Sequence, residues 1–249
     1  MNAIVLAGAP NKGSLRQISP AQYEAEIEIA GRPMLDYVVL ALERVQSIDQ
    51  IVIVGCESML SNKISGESLI FVKPGSSVLE SLENGISGLT VKEPVLILTS
   101  DIPLITKEAL EDFLNRCHQQ SGDIYYSFVP KTINDQKYPG VQRTYVRLKE
   151  GTFTGGNLVL LSPEIIHEKF STLTKAVALR KRPLKLCGML GWWYLCKLLL
   201  GILTIKEIED RVNEVLGVKA VGIVSPYPEV GIDVDKPSDL KLAQEVLTK

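Results

Sequence analysis

Four short runs of nearly uninterrupted apolar residues, at positions 3–6, 51–54, 69–72 and 95–98, alternate with stretches of helical periodicity through the first half of the chain. A strand that is apolar on both faces has to be covered on both, and parallel strands joined by crossover helices achieve that cover. The intervening stretches read as those helices. Gly31-Arg32-Pro33 precedes Leu35, Val38, Val39 and Leu42, which share one helical face, with Pro33 suited to the first helical position. Val78, Leu79, Leu82, Ile86 and Leu89 mark a second helix, and Thr106 caps a third that begins at Lys107. The pattern changes at Asp123. Residues 124–129 and 144–148 are rich in aromatic and β-branched side chains and are separated by Pro and Gly, the signature of antiparallel extensions of the sheet. After Ser162-Pro163-Glu164 the chain reads as helical to about Gly217, with Thr204 and Glu207 spaced as a capping box. A short strand at 218–223 and a last helix opened by Pro237 follow. The fold class expected is α/β: one domain, a three-layer α/β/α sandwich on a mostly parallel central sheet, with a helical C-terminal insertion at about 163–216.

A chain of 249 residues, 45% hydrophobic and 22% charged, can bury the core such a domain needs. Its formal charge of -2 supplies no basic face, which excludes nucleic acid as the expected partner. Cys56, Cys117, Cys187 and Cys196 form no C-x-x-C pair, so neither a zinc cage nor a dithiol redox motif is expected. The N-terminal residues lack the basic and long apolar regions of a secretory signal, and a cytoplasmic location is the expectation. The segment 183–203 carries Trp192, Trp193 and Tyr194 in Leu-rich surroundings. Lys185 and Lys197 leave 11 uncharged residues between them, whereas a membrane span needs about 20. A helical hairpin covering the sheet, a homodimer contact and an interfacial helix with weak membrane-surface contact are the readings left for it.

Two places carry chemistry on their residues alone. Asp101 follows the apolar run 94–98 and precedes Ile102-Pro103, which parks a carboxylate at the carboxyl end of a strand, where open parallel sheets bind ligands and where a hard cation can be held. A turn Asp ahead of Pro has the same appearance. Directly after the first strand, Leu6-Ala7-Gly8-Ala9-Pro10-Asn11-Lys12-Gly13-Ser14-Leu15-Arg16 forms a small-residue loop with two cations. Gly8 and Gly13 tolerate the dihedrals of a phosphate-binding nest, and Lys12 and Arg16 can neutralise charge. It is neither of two familiar phosphate loops, since Ser14 stands where one needs lysine and Pro10 where the other needs glycine. A plain βα turn has the same composition. His118 and His167 have no Ser or Cys partner motif and read as surface or helix-end residues.

The order of these pieces resembles the MobA-like nucleotidyltransferases, which share a GT-A-type, Rossmann-like α/β sandwich. Leu6-Ala7-Gly8 and its loop look like the family's L-A-x-G opening, and Gly31-Arg32-Pro33-Met34-Leu35 like its G-[KR]-P-M-[LVI] helix start. Ser100-Asp101-Ile102-Pro103 is similar to a D-x-P metal motif, and Asp233-Val234-Asp235-Lys236-Pro237-Ser238-Asp239-Leu240 to D-x-D-x-P-x-D-L. The resemblance covers almost the whole chain and implies an enzyme that moves a nucleoside monophosphate from a nucleoside triphosphate to a small phosphorylated acceptor, with Mg2+ as cofactor and pyrophosphate released. It implies that Leu6, Ala7, Gly8, Ala9 and Gly13 hold the nucleotide, that Gly75, Ser76 and Ser81 contact the nucleobase, and that Asp101 and Asp235 bind the metal. Lys12 and Arg16 join those two aspartates as catalytic candidates. Asp233 is read as facing either the core or solvent. Arg143, Gly155, Gly156 and Asn157 are the acceptor candidates, with Arg147 and Thr154 beside them and Arg180-Lys181-Arg182 either a phosphate clamp or a solvated helix end. Residues 1–122 would form the nucleotide-binding half and 123–249 the acceptor-binding half. Molybdopterin, an isoprenoid phosphate, phospholactate and a sugar phosphate all stay open as acceptors.

One departure stands out. Where the family carries a P-K pair whose lysine steadies the nucleotide phosphates, this chain has Tyr23-Glu24. Three outcomes are open: Lys12 and Arg16 substitute, a second magnesium ion is recruited, or turnover is lost. The last leaves a noncatalytic nucleotide-binding or regulatory module, while Trp192 and Trp193 motivate a membrane-peripheral enzyme acting on a lipid phosphate.

Overall fold

The computed structural model describes residues 1–57, 64, 69–168 and 191–248. Its centre is an eight-stranded sheet. The four apolar runs form β1 (Asn2–Leu6), β4 (Gln50–Val54), β5 (Leu69–Val72) and β6 (Val95–Thr99), all parallel, with β1 between β4 and β6. Alternate residues of β1 face opposite ways. Ala3 and Val5 pack with Leu35, Val38 and Leu42 of α1 (Met34–Glu43) and with Phe113, while Ile4 packs on the other face with Leu82 and Ile165. Each such fully buried side chain contributes roughly 1.5–3 kcal/mol, which explains why no polar residue interrupts the runs.

The second half carries the expected antiparallel pairing through a strand the sequence did not show. β7 (Ile124–Pro130) extends the sheet antiparallel to the neighbouring strand, as expected, and thereby runs in the direction of β6. The antiparallel strand is β9 (Gly151–Leu161), inserted between β6 and β7, with β10 (Ala220–Val224) parallel to β7 at the edge and β8 (Val146–Leu148) paired to the start of β9. The glycines of β9 hide its strand character in the sequence, and they are there for contact reasons: a Cβ on Gly156 would lie 2.2 Å from the Ser127 hydroxyl oxygen of β7.

Helix ends follow their side chains. Thr106 accepts the Ala109 N–H and Thr204 forms the expected box with Glu207. Pro33 is one residue off: its ψ of 143° makes it the cap, and α1 starts at Met34. Before it, β2 (Glu28–Ile29) and β3 (Arg32–Pro33) make a hairpin whose turn has positive φ at Ala30 and Gly31, 50° and 80°. The helical stretch expected at 163–216 is broken where it is described, into Pro163–Glu168, Trp192–Leu199 and Ile205–Leu216, with Gly201 at φ 67° turning the chain. The Arg180-Lys181-Arg182 clamp, Cys187 and the first part of 183–203 lie outside the described residues.

Candidate active site

Leu6, Thr99 and Val72 end their strands at the same edge of the sheet, and each is followed by a candidate loop. The Ala7 N–H bonds the Val54 carbonyl at 2.9 Å and the Ser100 N–H bonds the Leu6 carbonyl at 3.2 Å, so the ladder carries the chain into the site. Gly8 is required there by proximity. A Cβ on it would lie 2.5 Å from Pro74 Cβ, which packs the first loop against Pro74-Gly75-Ser76. Neither Gly8 nor Gly13 has positive φ, and a Cβ on Gly13 would meet nothing within 4 Å, so the dihedral role expected of them is not the one they play.

The first loop is stitched to residues 22–24. Asn11 N–H bonds the Gln22 carbonyl at 2.8 Å, Glu24 N–H bonds the Ala9 carbonyl at 3.0 Å, and Pro10 bridges Tyr23. Arg16 is committed to this scaffold, donating to the Pro20 and Ala21 carbonyls at 2.5 and 2.6 Å. Lys12 is exposed and makes no hydrogen bond or ion pair among the described residues. In the 74–76 loop, Gly75 N–H donates to the Ser81 hydroxyl at 3.0 Å, and Ser76 N–H and hydroxyl both donate to Glu80. That carboxylate is held below its usual range by the two Ser76 contacts.

Three carboxylates from distant segments converge beside these loops. Asp101, Asp233 and Asp235 each offer an oxygen, and the three oxygens lie within 4.8 Å of one another. The construction is simple. The Val234 N–H pairs with the Asp101 carbonyl at 2.8 Å, and along this extended stretch Ile232 and Val234 are buried while Asp233 and Asp235 turn the other way, toward Asp101. Asp233 thus joins the pair read from the sequence. The alternating Ile-Asp-Val-Asp pattern was the signal for it, since a period of two puts both carboxylates on one side.

Arg143 braces this cluster. Its guanidinium meets Asp233 at 3.1 Å, Asp239 at 3.5 Å and the Asp233 carbonyl at 2.6 Å, and its side chain is 8% exposed. The Asp235 N–H adds a 3.3 Å bond to Asp239. Arg143 is therefore occupied in holding aspartates.

Packing carboxylates together out of water raises their proton affinity. Burial, and then the charge of Asp233, push Asp101 up to about 6 against the opposing hydrogen bond from Thr99. Asp233 also rises to about 6, by burial and by Asp235, with Arg143 pulling the other way. Glu24 rises furthest, to about 7, through burial and the charges of Asp101, Asp235 and Asp233. All three aspartates therefore act on the charge of Glu24, which stands where the resemblance implies a lysine.

A polar cleft of about 470 Å³ opens from the cluster, lined by Arg143, Thr154, Gly155, Asn157, Asp233 and Asp235 among others. Asn157 is tied by its amide to the Val230 carbonyl at 3.2 Å. Gly156 is buried against Ser127 and Val230, and Arg147 packs along Gly201; neither lines the cleft. Of segment 183–203, the described part includes the helix Trp192–Leu199, on which Trp192 and Trp193 are exposed. Among the described residues no helix is long and apolar enough to cross a membrane.

A small-residue loop and a carboxylate cluster at the carboxyl edge of a mostly parallel sheet, with a polar cleft alongside, form the arrangement of a nucleotidyltransferase. The chain belongs to the MobA-like NTP transferase domain family, which matches residues 3–179. A solved hypothetical transferase from Thermus thermophilus is 38% identical over 96% of this chain and 98% of its own, with a TM-score of 0.84. Three more distant structures share the fold. The 4-diphosphocytidyl-2C-methyl-D-erythritol synthase of Anaerococcus prevotii is 14% identical over 100% of this chain and 96% of its own, with a TM-score of 0.61. A nucleotidyl transferase from Methanothermobacter thermautotrophicus is 13% identical over 99% and 97%, with a TM-score of 0.61. A CMP:2-keto-3-deoxy-manno-octonic acid synthetase complexed with CTP is 12% identical over 100% and 99%, with a TM-score of 0.64. No curated protein matches the chain.

Proposed function

We propose that this nucleotidyltransferase joins a nucleoside monophosphate to a small phosphorylated acceptor bound in the cleft beside Asp233 and Asp235, and that it depends on magnesium. The convergence of Asp101, Asp233 and Asp235 within 4.8 Å carries the reading, because like charges are gathered at such cost only where a cation or proton answers them. An all-carboxylate donor set fits a hard divalent cation. Asp101, Asp233 and Asp235 would hold magnesium, which when bound neutralises the charge that builds on the α-phosphoryl group and the leaving pyrophosphate.

The chain's own residues do the positioning. Arg143 fixes Asp233 through both its carboxylate and its carbonyl, and the Thr99 hydroxyl orients Asp101. Lys12, the uncommitted cation of the first loop, is free to meet the triphosphate. An acceptor phosphate oxygen then forms the new bond to the α-phosphorus as the bridging bond to pyrophosphate breaks, with alignment in the cleft supplying much of the acceleration. Asn157, Thr154 and Gly155 offer the acceptor polar contacts and close approach. A cytoplasmic location accords with such substrates.

The experiment is phosphorus NMR of the purified protein with magnesium, each of four ribonucleoside triphosphates and a panel of phosphorylated acceptors. CTP comes first because one structural neighbour is complexed with it. A new phosphoanhydride resonance with equimolar pyrophosphate supports the reading, and nucleotide binding without any product supports the noncatalytic module. Trp192 and Trp193, 77% and 68% exposed, favour a second version in which the acceptor is a lipid phosphate. Failure to sediment with anionic vesicles at low salt would remove it.

A further inference from the structure

The helix Trp192–Leu199 has two apolar sides, and one of them is left in water. Tyr194 and Leu198, four residues apart on the inner side, pack with Leu148, Phe153 and Leu203 in a small core of their own. Trp192 and Leu199, like Trp193 and Leu200, stand seven residues apart and share the other side, and the turn at Gly201 adds Ile202. All five are half or more exposed. Single exposed apolar side chains are ordinary, whereas a group of them marks a surface that something covers.

The surroundings of this stripe are cationic. Arg147 lies along Gly201, where a Cβ would sit 2.9 Å from its Nε, and the Lys149 N–H bonds the Leu203 carbonyl at 2.9 Å, which places both residues at the end of the stripe. Both are exposed, and neither pairs with an acid among the described residues. The acids beside them are committed: Glu207 is held by Lys197 and by the Thr204 cap, and Glu150 accepts the Ile205 N–H at 3.1 Å. The sequence has the same sign, with eight lysines and arginines and no aspartate or glutamate from Lys169 to Lys206, in a chain of formal charge -2. A second copy of the chain fits poorly, because a two-fold contact sets each patch against itself and brings like charges together. An anionic lipid surface answers both features, since it takes up tryptophan and leucine at the headgroup boundary and draws lysine and arginine to its phosphates.

We infer that the stripe of Trp192, Trp193, Leu199, Leu200 and Ile202 docks this chain on an anionic phospholipid surface, with Arg147 and Lys149 against the headgroups. The helix lies in the interface and does not cross it, since its eight residues rise about 12 Å against a hydrocarbon core of roughly 30 Å. The cleft is close by in the chain: Gln142, Arg143 and Thr144 line it just ahead of β8. Docking holds for a water-soluble acceptor as for a lipid one, so it stands apart from the reading of the reaction.

The chain has two tryptophans, Trp192 and Trp193, so intrinsic fluorescence reports on this face alone. The test adds vesicles of phosphatidylcholine and phosphatidylglycerol in equal parts, at low salt, to the purified full chain. Tryptophan emission should move to shorter wavelength and be quenched when the lipids are brominated in the upper acyl chain, and vesicles of phosphatidylcholine alone should bind about tenfold more weakly because the electrostatic attraction is gone. In sedimentation with the mixed vesicles, Trp192→Ser with Trp193→Ser should abolish binding and Arg147→Gln with Lys149→Gln should weaken it about tenfold, with circular dichroism confirming that each variant folds. Emission of the native chain unchanged by the mixed vesicles would overturn the inference, as would binding that survives loss of both tryptophans. Self-association through the stripe would also overturn it, seen without lipid as emission that shifts with protein concentration and a doubled mass in sedimentation equilibrium.

Discussion

At the scale of single residues, the site spends folding energy on charge. Asp101, Asp233 and Glu24 all hold protons more tightly in the folded chain than a free carboxylate does. Their contribution to the stability of the metal-free protein is therefore present at low pH and lost as pH rises through about 6 to 7. The magnesium of the proposed function would compete with protons for the same oxygens. The rise in melting temperature caused by magnesium should accordingly be large at pH 7.5 and shrink toward zero by pH 5.5, as differential scanning fluorimetry would show; an effect independent of pH contradicts this picture. Asp101→Asn should cost on the order of 10²–10³-fold or more in turnover, the range for removing one preorganised electrostatic group, without lowering the melting temperature of the metal-free chain. Arg143→Ala should behave in the opposite way, since it strands Asp239 and Asp233 without their counter-charge. Breaking such a buried pair costs about 3–5 kcal/mol, measurable as a lower urea midpoint.

At the scale of elements, what could be read from the sequence depended on whether side chains or backbone did the work. The four parallel strands, the Thr106 and Thr204 caps and the position of Asp101 were legible, because apolar runs, capping hydroxyls and a strand-terminal carboxylate are properties of side-chain identity. β9 was not. Its Gly155 and Gly156 give no β-forming signal, and they belong to the strand because Tyr126 and Ser127 need the room. The fit of Gly8 under Pro74 was legible only as a motif, since close approach leaves no trace in composition. Gly8→Ala should raise KM for the triphosphate and destabilise the fold by about 1–3 kcal/mol, as overpacking does. The capping box makes a plainer prediction. Thr204→Ala should lower stability by about 1 kcal/mol and leave turnover unchanged, because the helix Ile205–Leu216 packs on β10 away from the carboxylates.

At the scale of the whole molecule, β9 decides how many folding units there are. It pairs with β6 on one side and β7 on the other, so the two halves divided near residue 122 share one continuous sheet. Asp101 from the first half and Asp233 and Asp235 from the second meet only across that seam. Urea unfolding followed by far-UV circular dichroism and by proton NMR should therefore give one coincident transition, and two separate transitions would show that the halves fold independently. The proposed reaction belongs to the same seam, since neither half alone carries all three carboxylates of the cluster. The most direct measurement is pyrophosphate release from a nucleoside triphosphate and a phosphorylated acceptor as magnesium is titrated, for the native chain beside Asp101→Asn and Asp235→Asn. Release that rises with magnesium and collapses in both variants is the predicted result. Release that persists in chelator, or survives both substitutions, would contradict the account.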